Sequence, residues 1–284
     1  MNKKLFIYIF ALNIFFSSAA HAENNIALFD ENWAINFFLN YKSCIFENSL
    51  NSLEYIAEKP WNIGLGIRYR NISAQISVPL IWEEQFKNLS YDFEIDSYFN
   101  KIYYDVYFKH YPDLIIQDNY GQNILDIFSS GIMATFIHNY ENHSLSSVVK
   151  LDKKQEVSSG SLLYGFGLFH LSLYSASKEI NRYYDRQHFL YFGPGVGYSY
   201  TWVFENGLFL NINCVFFTNP AININAGKWL FIPHVQPKII IGHHNAAWSI
   251  NLNMLNNASF MVWNEEDIDT LNSVSVKIMF SRRL

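Results

Sequence analysis

The stretch WNIGLGIRYRNISAQISVPLIW, residues 61–82, places an apolar side chain at every second position and changes phase once. Trp61, Ile63, Leu65, Ile67 and Tyr69 fall on odd positions, whereas Ile72, Ala74, Ile76, Val78, Leu80 and Trp82 fall on even ones, with Arg70-Asn71 between them. In an antiparallel hairpin with a two-residue loop, facing residues share one side of the sheet. Tyr69 then opposes Ile72, Ile67 opposes Ala74 and Trp61 opposes Leu80. One face becomes apolar throughout. The other is small or polar, with Asn62, Gly64, Gly66 and Arg68 set against Ser73, Gln75, Ser77 and Pro79. Each arm has the roughly 9–11 residues that a tilted strand needs to cross a bilayer, whereas soluble strands most often have about 5–6.

The N-terminus points to export. Lys3 and Lys4 precede an apolar run, Leu5 to Phe16, broken only by Asn13, and Ala20-His21-Ala22 has the small-x-small form of a cleavage site. These features predict a secretory signal peptide over 1–22, cleaved after Ala22, ahead of one domain over 23–284. The apolar core is shorter than the roughly 20 residues of a spanning helix. Aromatic residues make up 18% of the chain and charged residues only 16%, so an exported protein of this composition must place its aromatics out of water. A closed β-barrel does so by facing them to lipid. Loss of Lys3 and Lys4 takes the formal net charge from −5 to −7, which argues against a nucleic-acid partner.

The period of two recurs along the chain, in WAINFFLNY (33–41), NKIYYDVYFKHY (100–111), GVGYSYTWVF (195–204), the strand from Leu208, VQPKIIIGH (235–243), AAWSINLNML (246–255) and NSVSVKIMF (272–280). Weaker patterns lie near 128–138, 144–152 and 160–173. With the hairpin arms, the expected fold class is all-β: a closed antiparallel transmembrane β-barrel of about 12 strands, or ten or fourteen, since an even number returns both termini to the periplasm. Turns at 70–71, 205–207 and 244–245 are then periplasmic. Segments 43–60, 83–92, 174–187, 218–228 and 256–271 become outer loops. Segment 111–127 falls on the periplasmic side in this scheme, yet is too long for a tight turn.

Charge follows the same phase. Arg68, Lys101, Asp105, Lys109, Lys150, Lys238 and Lys277 all lie on the polar side of their strands, and a cation facing lipid at mid-bilayer costs roughly 2–4 kcal/mol. A secreted soluble β-sandwich binding protein shares the two-faced strands and is the alternative fold, with strand length and signal peptide against it.

The segments LGIRYRNISAQIS (65–77), YYDVYFKHY (103–111), KKQEVSSGSLLYG (153–165) and GPGVGYSYTW (193–202), in this order, resemble a predicted outer-membrane β-barrel family of unknown function, numbered forty-four twenty-one among the domains of unknown function. The most specific part is Gln155 followed by Ser158, Ser159, Gly160 and Ser161. The ending IMFSRRL departs from the usual aromatic terminus of barrels. The resemblance implies the barrel fold and no activity. Ser158–Ser161 reads as a bend or bulge entering a strand, with Gln155 bonding across the lumen.

Functional candidates are few. Lumen-facing candidates are Arg68, Gln75, Lys238, Asn251 and Asn253, accompanied by Asn211, Asn213 and Lys277, a polar lining that suits a narrow small-solute passage. Bulky inward Phe38, Tyr103 and Tyr107 favour a plugged lumen and a structural or interaction role. A membrane-embedded lipid-acting hydrolase needs a nucleophile and a base in reach. His170 and Ser172 share a face, but His170 is also in phase with Tyr164, Phe166 and Leu168 as a girdle residue. His243 and His244 diverge beside a turn and do not make a metal site. Cys44 and Cys214 read as unpaired. No catalytic residue, metal or cofactor is expected. The expected partners are outer-membrane lipid and the barrel-assembly machinery, and the expected location is the bacterial outer membrane.

Overall fold

The structure, a computed structural model, describes residues 25–29, 31–48, 53–57, 60–80, 90–99, 101–116, 124–175, 186–262 and 268–284. The expected signal peptide, Trp82 and, of the expected outer loops, residues 49–52, 58–59, 83–89, 176–185 and 263–267 lie outside the described residues.

Alternation decides the architecture. Each long strand has one apolar face and one mixed face, and the strands pair antiparallel until the sheet meets itself. In chain order the elements are β1 (Ile26–Leu28), β2 (Trp33–Asn48), β3 (Leu53–Ala57), β4 (Trp61–Tyr69), β5 (Ile72–Pro79), β6 (Tyr91–Phe99), β7 (Ile102–Ile116), β8 (Ile124–Ile137), α1 (Leu145–Val149), β9 (Lys153–Gln155), β10 (Ser159–Ser175), β11 (Gln187–Val203), β12 (Leu208–Phe217), β13 (Pro220–Asn223), β14 (Lys228–Phe231), β15 (His234–His244), β16 (Trp248–Val262) and β17 (Ile268–Arg283). Twelve of them, β2, β4 to β8, β10 to β12 and β15 to β17, form a ring closed by the β10–β11 and β2–β17 pairings. A single sheet closed on itself is a barrel, not a sandwich.

The opening hairpin has the expected register: Tyr69 pairs with Ile72, Ile67 with Ala74, and the Leu80 amide donates to the Trp61 carbonyl at 2.9 Å. Arg70 takes the left-handed conformation in the tight turn, with φ 51°. In the turn after β11, Asn206 and Gly207 both have positive φ. The apolar faces point outward: Phe37, Leu65, Phe166, Val196, Ile241 and Ile278 are all exposed, in the manner of a lipid-facing belt. Phe217 fills the interior by lying over Gly165 and Gly195, where an added Cβ would come within 3.0 and 2.5 Å of its ring.

Twelve strands result from one exchange of members. Residues 144–152 do not form a strand: Ser144 Oγ accepts from the Ser147 amide at 3.3 Å and caps the short helix α1, whose Leu145, Ser146, Ser147 and Val148 are all buried. Residues 91–99, by contrast, are strand β6, which takes in the end of the expected outer loop 83–92 and the stretch between it and the strand expected from 100. This correction moves 111–127 to the opposite end of the barrel, where β7 runs to Ile116 and β8 starts at Ile124. Several expected outer loops are shorter than drawn, because β2 continues to Asn48, β3 pairs with β2 and β7, β13 and β14 form a hairpin, and β16 and β17 extend to Val262 and from Ile268. Cys44 is buried and Cys214 exposed, and both are free.

A lipid-facing cation tests the orientation of the opening hairpin. Leu65→Arg, at the middle of β4 and 54% exposed, should cost about 2–4 kcal/mol in urea unfolding of the lipid-reconstituted protein. A loss near zero would contradict the assignment of that face to lipid.

Candidate functional site in the barrel interior

The lumen is divided into three layers. At the end that carries β3 and the β13–β14 hairpin, Phe46, Leu114, Leu125, Phe169, Leu171 and Phe189 close the interior with apolar side chains, all at most 1% exposed. Phe169 stacks on Tyr191 and His234 with ring centroids 5.1 and 5.9 Å apart. This seal arises because the inward residues of β10 and β11 become apolar toward that end, with Phe169, Leu171 and Leu173 from β10 and Phe189 and Tyr191 from β11.

The connection between β8 and β10 plugs the opposite end. Its helix α1 buries Leu145 against Tyr98, Tyr103, Met133 and Val215, and Val148 and Leu151 against Phe38, Phe209, Ile240 and Met279. β9 pairs with β1, so the segment preceding the barrel joins the plug. Gln155 ties the plug together: its Nε2 donates to the Asn142 carbonyl at 2.6 Å and the Val157 carbonyl at 3.0 Å, and its Oε1 accepts from the Ser144 amide at 3.0 Å. It therefore bonds within the plug and, at 3.2 Å, to Ser159 Oγ at the start of β10, not across the lumen. Ser159 Oγ donates to the same Asn142 carbonyl at 2.6 Å, Ser161 Oγ accepts from the Asn139 amide at 2.9 Å, and Ser158 Oγ accepts from the Val203 amide at 2.8 Å. Gly160 lies so close to Tyr198 and Tyr200 that a Cβ would reach 2.4 and 2.6 Å from their side chains. The Gln155 to Ser161 segment is thus the joint between plug and wall. Arg283, beyond the aromatic Phe280, adds a clamp by donating to the Asn245 carbonyl at 2.7 Å and the Leu151 carbonyl at 3.5 Å.

Between plug and seal lies a charged layer. β6 presents Asp92, Glu94 and Asp96; β7 presents Asp105 and Lys109; Lys42, Lys238 and Lys277 come from β2, β15 and β17. Lys42 pairs with Asp92 and also donates to Ser77 Oγ at 3.2 Å. Lys150, the residue after α1, lies 3.1 Å from Asp96 with both side chains essentially fully buried, and Tyr103 Oη donates to the same Asp96 oxygen at 2.9 Å. Two cavities, of about 60 and 110 Å³, occupy this layer and share Glu94, Lys109, Tyr111 and Lys238 in their walls.

The residues singled out from sequence divide between two locations. Gln75, Lys238 and Asn253 line these cavities, and Gln75 accepts from Lys277 at 3.2 Å. Arg68 and Asn251 line neither. Arg68 is buried near the plug, within electrostatic reach of Asp152 and Glu31, and Asn251 donates to the Val148 carbonyl of α1 at 2.9 Å. Sequence reasoning missed the β6 carboxylates. The alternation of Asp92, Glu94 and Asp96 with Tyr91, Phe93 and Ile95 was the signal that could have found them. On the outer surface, His170 Nε2 lies 3.1 Å from His188 Nδ1, so His188 and not Ser172 engages it.

The plug carries two measurable signatures. Lys150→Met leaves the buried Asp96 without its counter-ion and should cost about 3–5 kcal/mol, whereas Lys150→Met with Asp96→Leu should recover most of that loss in urea unfolding. Equal losses in single and double variants would contradict the pairing. Burial holds His143 of the plug down to about 4 from its ordinary 6.5. The unfolded state therefore binds the extra proton as pH falls from 6.5 toward 4, and stability decreases through that window by on the order of 3 kcal/mol. His143→Gln should flatten that slope in pH-dependent unfolding; an unchanged slope would contradict the assignment.

A comparison with curated proteins finds no match. Among solved structures, the chain is similar to an outer membrane channel from Pseudomonas putida F1, with 8% identity, a TM-score of 0.39, and 93% of this chain and 100% of that chain covered. It is also similar to the outer membrane protease OmpT from Escherichia coli, with 7% identity, a TM-score of 0.39, and 94% and 99% covered. A third likeness is to the P. putida toluene transporter TodX, with 6% identity, a TM-score of 0.30, and 90% of each chain covered. The model of the family described as "Domain of unknown function (DUF4421)" matches residues 23–281, and the chain belongs to that family.

Proposed function

We propose that this barrel resides in the bacterial outer membrane and acts as a narrow, gated passage for small polar solutes, described here in its closed state. The observation that carries this reading is the charge-lined space enclosed between two seals. A barrel built only for rigidity is better filled by apolar side chains, because burying ions costs more than their pairing usually returns. Here the apolar filling stops at both ends. The middle keeps Lys42, Lys109, Lys238 and Lys277 around cavities large enough for several waters, each of which needs about 10–15 Å³.

Passage requires the plug to move. Its hold on the wall is partly polar and local, through Gln155, Ser158, Ser161 and Arg283, so a limited set of bonds separates closed from open. A structural or interaction role is the second reading, and the observation favouring it is that apolar side chains pack across the lumen on both sides of the charged layer among the described residues. The lipid-acting hydrolase loses ground because His170 is engaged by His188.

Planar-bilayer recordings distinguish the two main readings. The wild-type protein should be almost silent. Gln155→Ala combined with Arg283→Ala should unlatch the plug and give frequent small openings, and a further Lys238→Gln should lower their conductance. Silence from the unlatched barrel, with correct heat-modifiable migration, would overturn the passage and leave the structural role.

A further inference from the structure

The walls of the mid-barrel cavities carry an imbalance of two kinds. The first is charge. Four lysines, Lys42, Lys109, Lys238 and Lys277, face three carboxylates, Asp92, Glu94 and Asp105, across the two cavities. Lys42 is committed to Asp92, which leaves three ammonium groups against two carboxylates. The second is hydrogen bonding. Asn253 Oδ1, Asn257 Oδ1 and Asp105 Oδ1 are buried acceptors without a hydrogen-bond partner, and Asn253 is only 7% exposed. His234, 5% exposed, uses Nδ1 on Ser259 Oγ at 2.7 Å and leaves Nε2 without a partner.

A plain anion answers the lysines and leaves the orphaned acceptors unmet. A plain cation answers the acceptors and meets three ammonium groups. Leaving a buried acceptor unmade costs about 1–3 kcal/mol, more when it is charged, so the walls favour a molecule that supplies both kinds of group. Deepening the passage reading of the same chamber, on which it rests, we propose that the chamber binds a small zwitterionic amino-carboxylate. Its carboxylate is held by Lys109 and Lys238, which line both cavities, and its ammonium group donates to Asp105 Oδ1 in the larger one. The larger cavity, about 110 Å³, suits a solute with a short side chain, and the apolar seal above excludes a long one.

The test uses the full chain folded into detergent micelles in the presence of radiolabelled alanine, acetate or methylammonium, with retained label counted after gel filtration. Alanine should be retained in saturable fashion, with acetate and methylammonium each at least roughly tenfold weaker. Lys238→Gln and Asp105→Asn should each weaken alanine retention by roughly tenfold, with heat-modifiable migration reporting that each variant has folded. Retention of acetate as tight as that of alanine overturns the proposal, as does retention of no probe, which means the chamber holds water only. Alanine retention unmoved by both substitutions overturns it as well. The passage reading fails by a separate result, silence of the unlatched barrel, so a protein that retains alanine and never conducts keeps the site and loses the passage.

Discussion

Ring closure is the constraint from which the rest of this structure follows. In hydrocarbon every backbone N–H and C=O must be paired within the protein, and an open sheet edge cannot be tolerated. The β10–β11 and β2–β17 pairings remove the edges, and once they exist each strand has an outside and an inside fixed by its period of two. The outside must be apolar along its whole membrane height. Whatever polarity the strands carry is therefore gathered in the lumen, where carboxylates from β6 and β7 meet lysines from β2, β15 and β17 far from bulk water.

That concentration of charge explains how the plug is placed. Asp96 faces the interior and needs a cation; Lys150 enters on the plug to supply one, with Tyr103 completing the bonds to the carboxylate. Apolar residues of α1 and Leu151 then pack on the inward side chains below the charged layer, and the Gln155 joint fixes where the chain leaves the plug and becomes β10. Plug and wall are thus joined by an ion pair at the tip, by packing along the side and by hydrogen bonds at the base. The tip joins two buried charges, whereas the base is held by hydrogen bonds from Gln155, the serines beside it and Arg283.

The barrel was legible in the sequence because lipid enforces alternation on every strand. Tyr69 opposite Ile72 and the outward Phe37, Leu65 and Ile278 follow from that rule alone. What the sequence concealed lies inside, where no single solvent sets a pattern. β6 carries carboxylates on its lumen side, so no charge-free alternation marks it as a strand, while α1 lies in the period-of-two pattern near 144–152 and buries Leu145 to Val148. The candidate lining suffered from the same blindness: phase told which residues point inward, but not whether an inward residue meets a cavity or a plug. Gln75, Lys238 and Asn253 meet the cavities; Arg68 and Asn251 meet the plug region, because residues 138–158 fold back into the lumen rather than crossing the membrane. The family resemblance marked Gln155 and the small residues after it, and only their place at the plug joint gives that pattern a physical cause.

The central claim is that residues 138–158 form a packed plug inside the barrel. Hydrogen–deuterium exchange of the protein in lipid nanodiscs tests this most directly, through the amides of Ser144, Ser147 and Lys150, which donate to Gln155 Oε1, Ser144 Oγ and the Ser146 carbonyl. The account predicts protection of these amides comparable to that of the neighbouring strands β8 and β10. Exchange as fast as in an exposed loop, with those strands still protected, would contradict it.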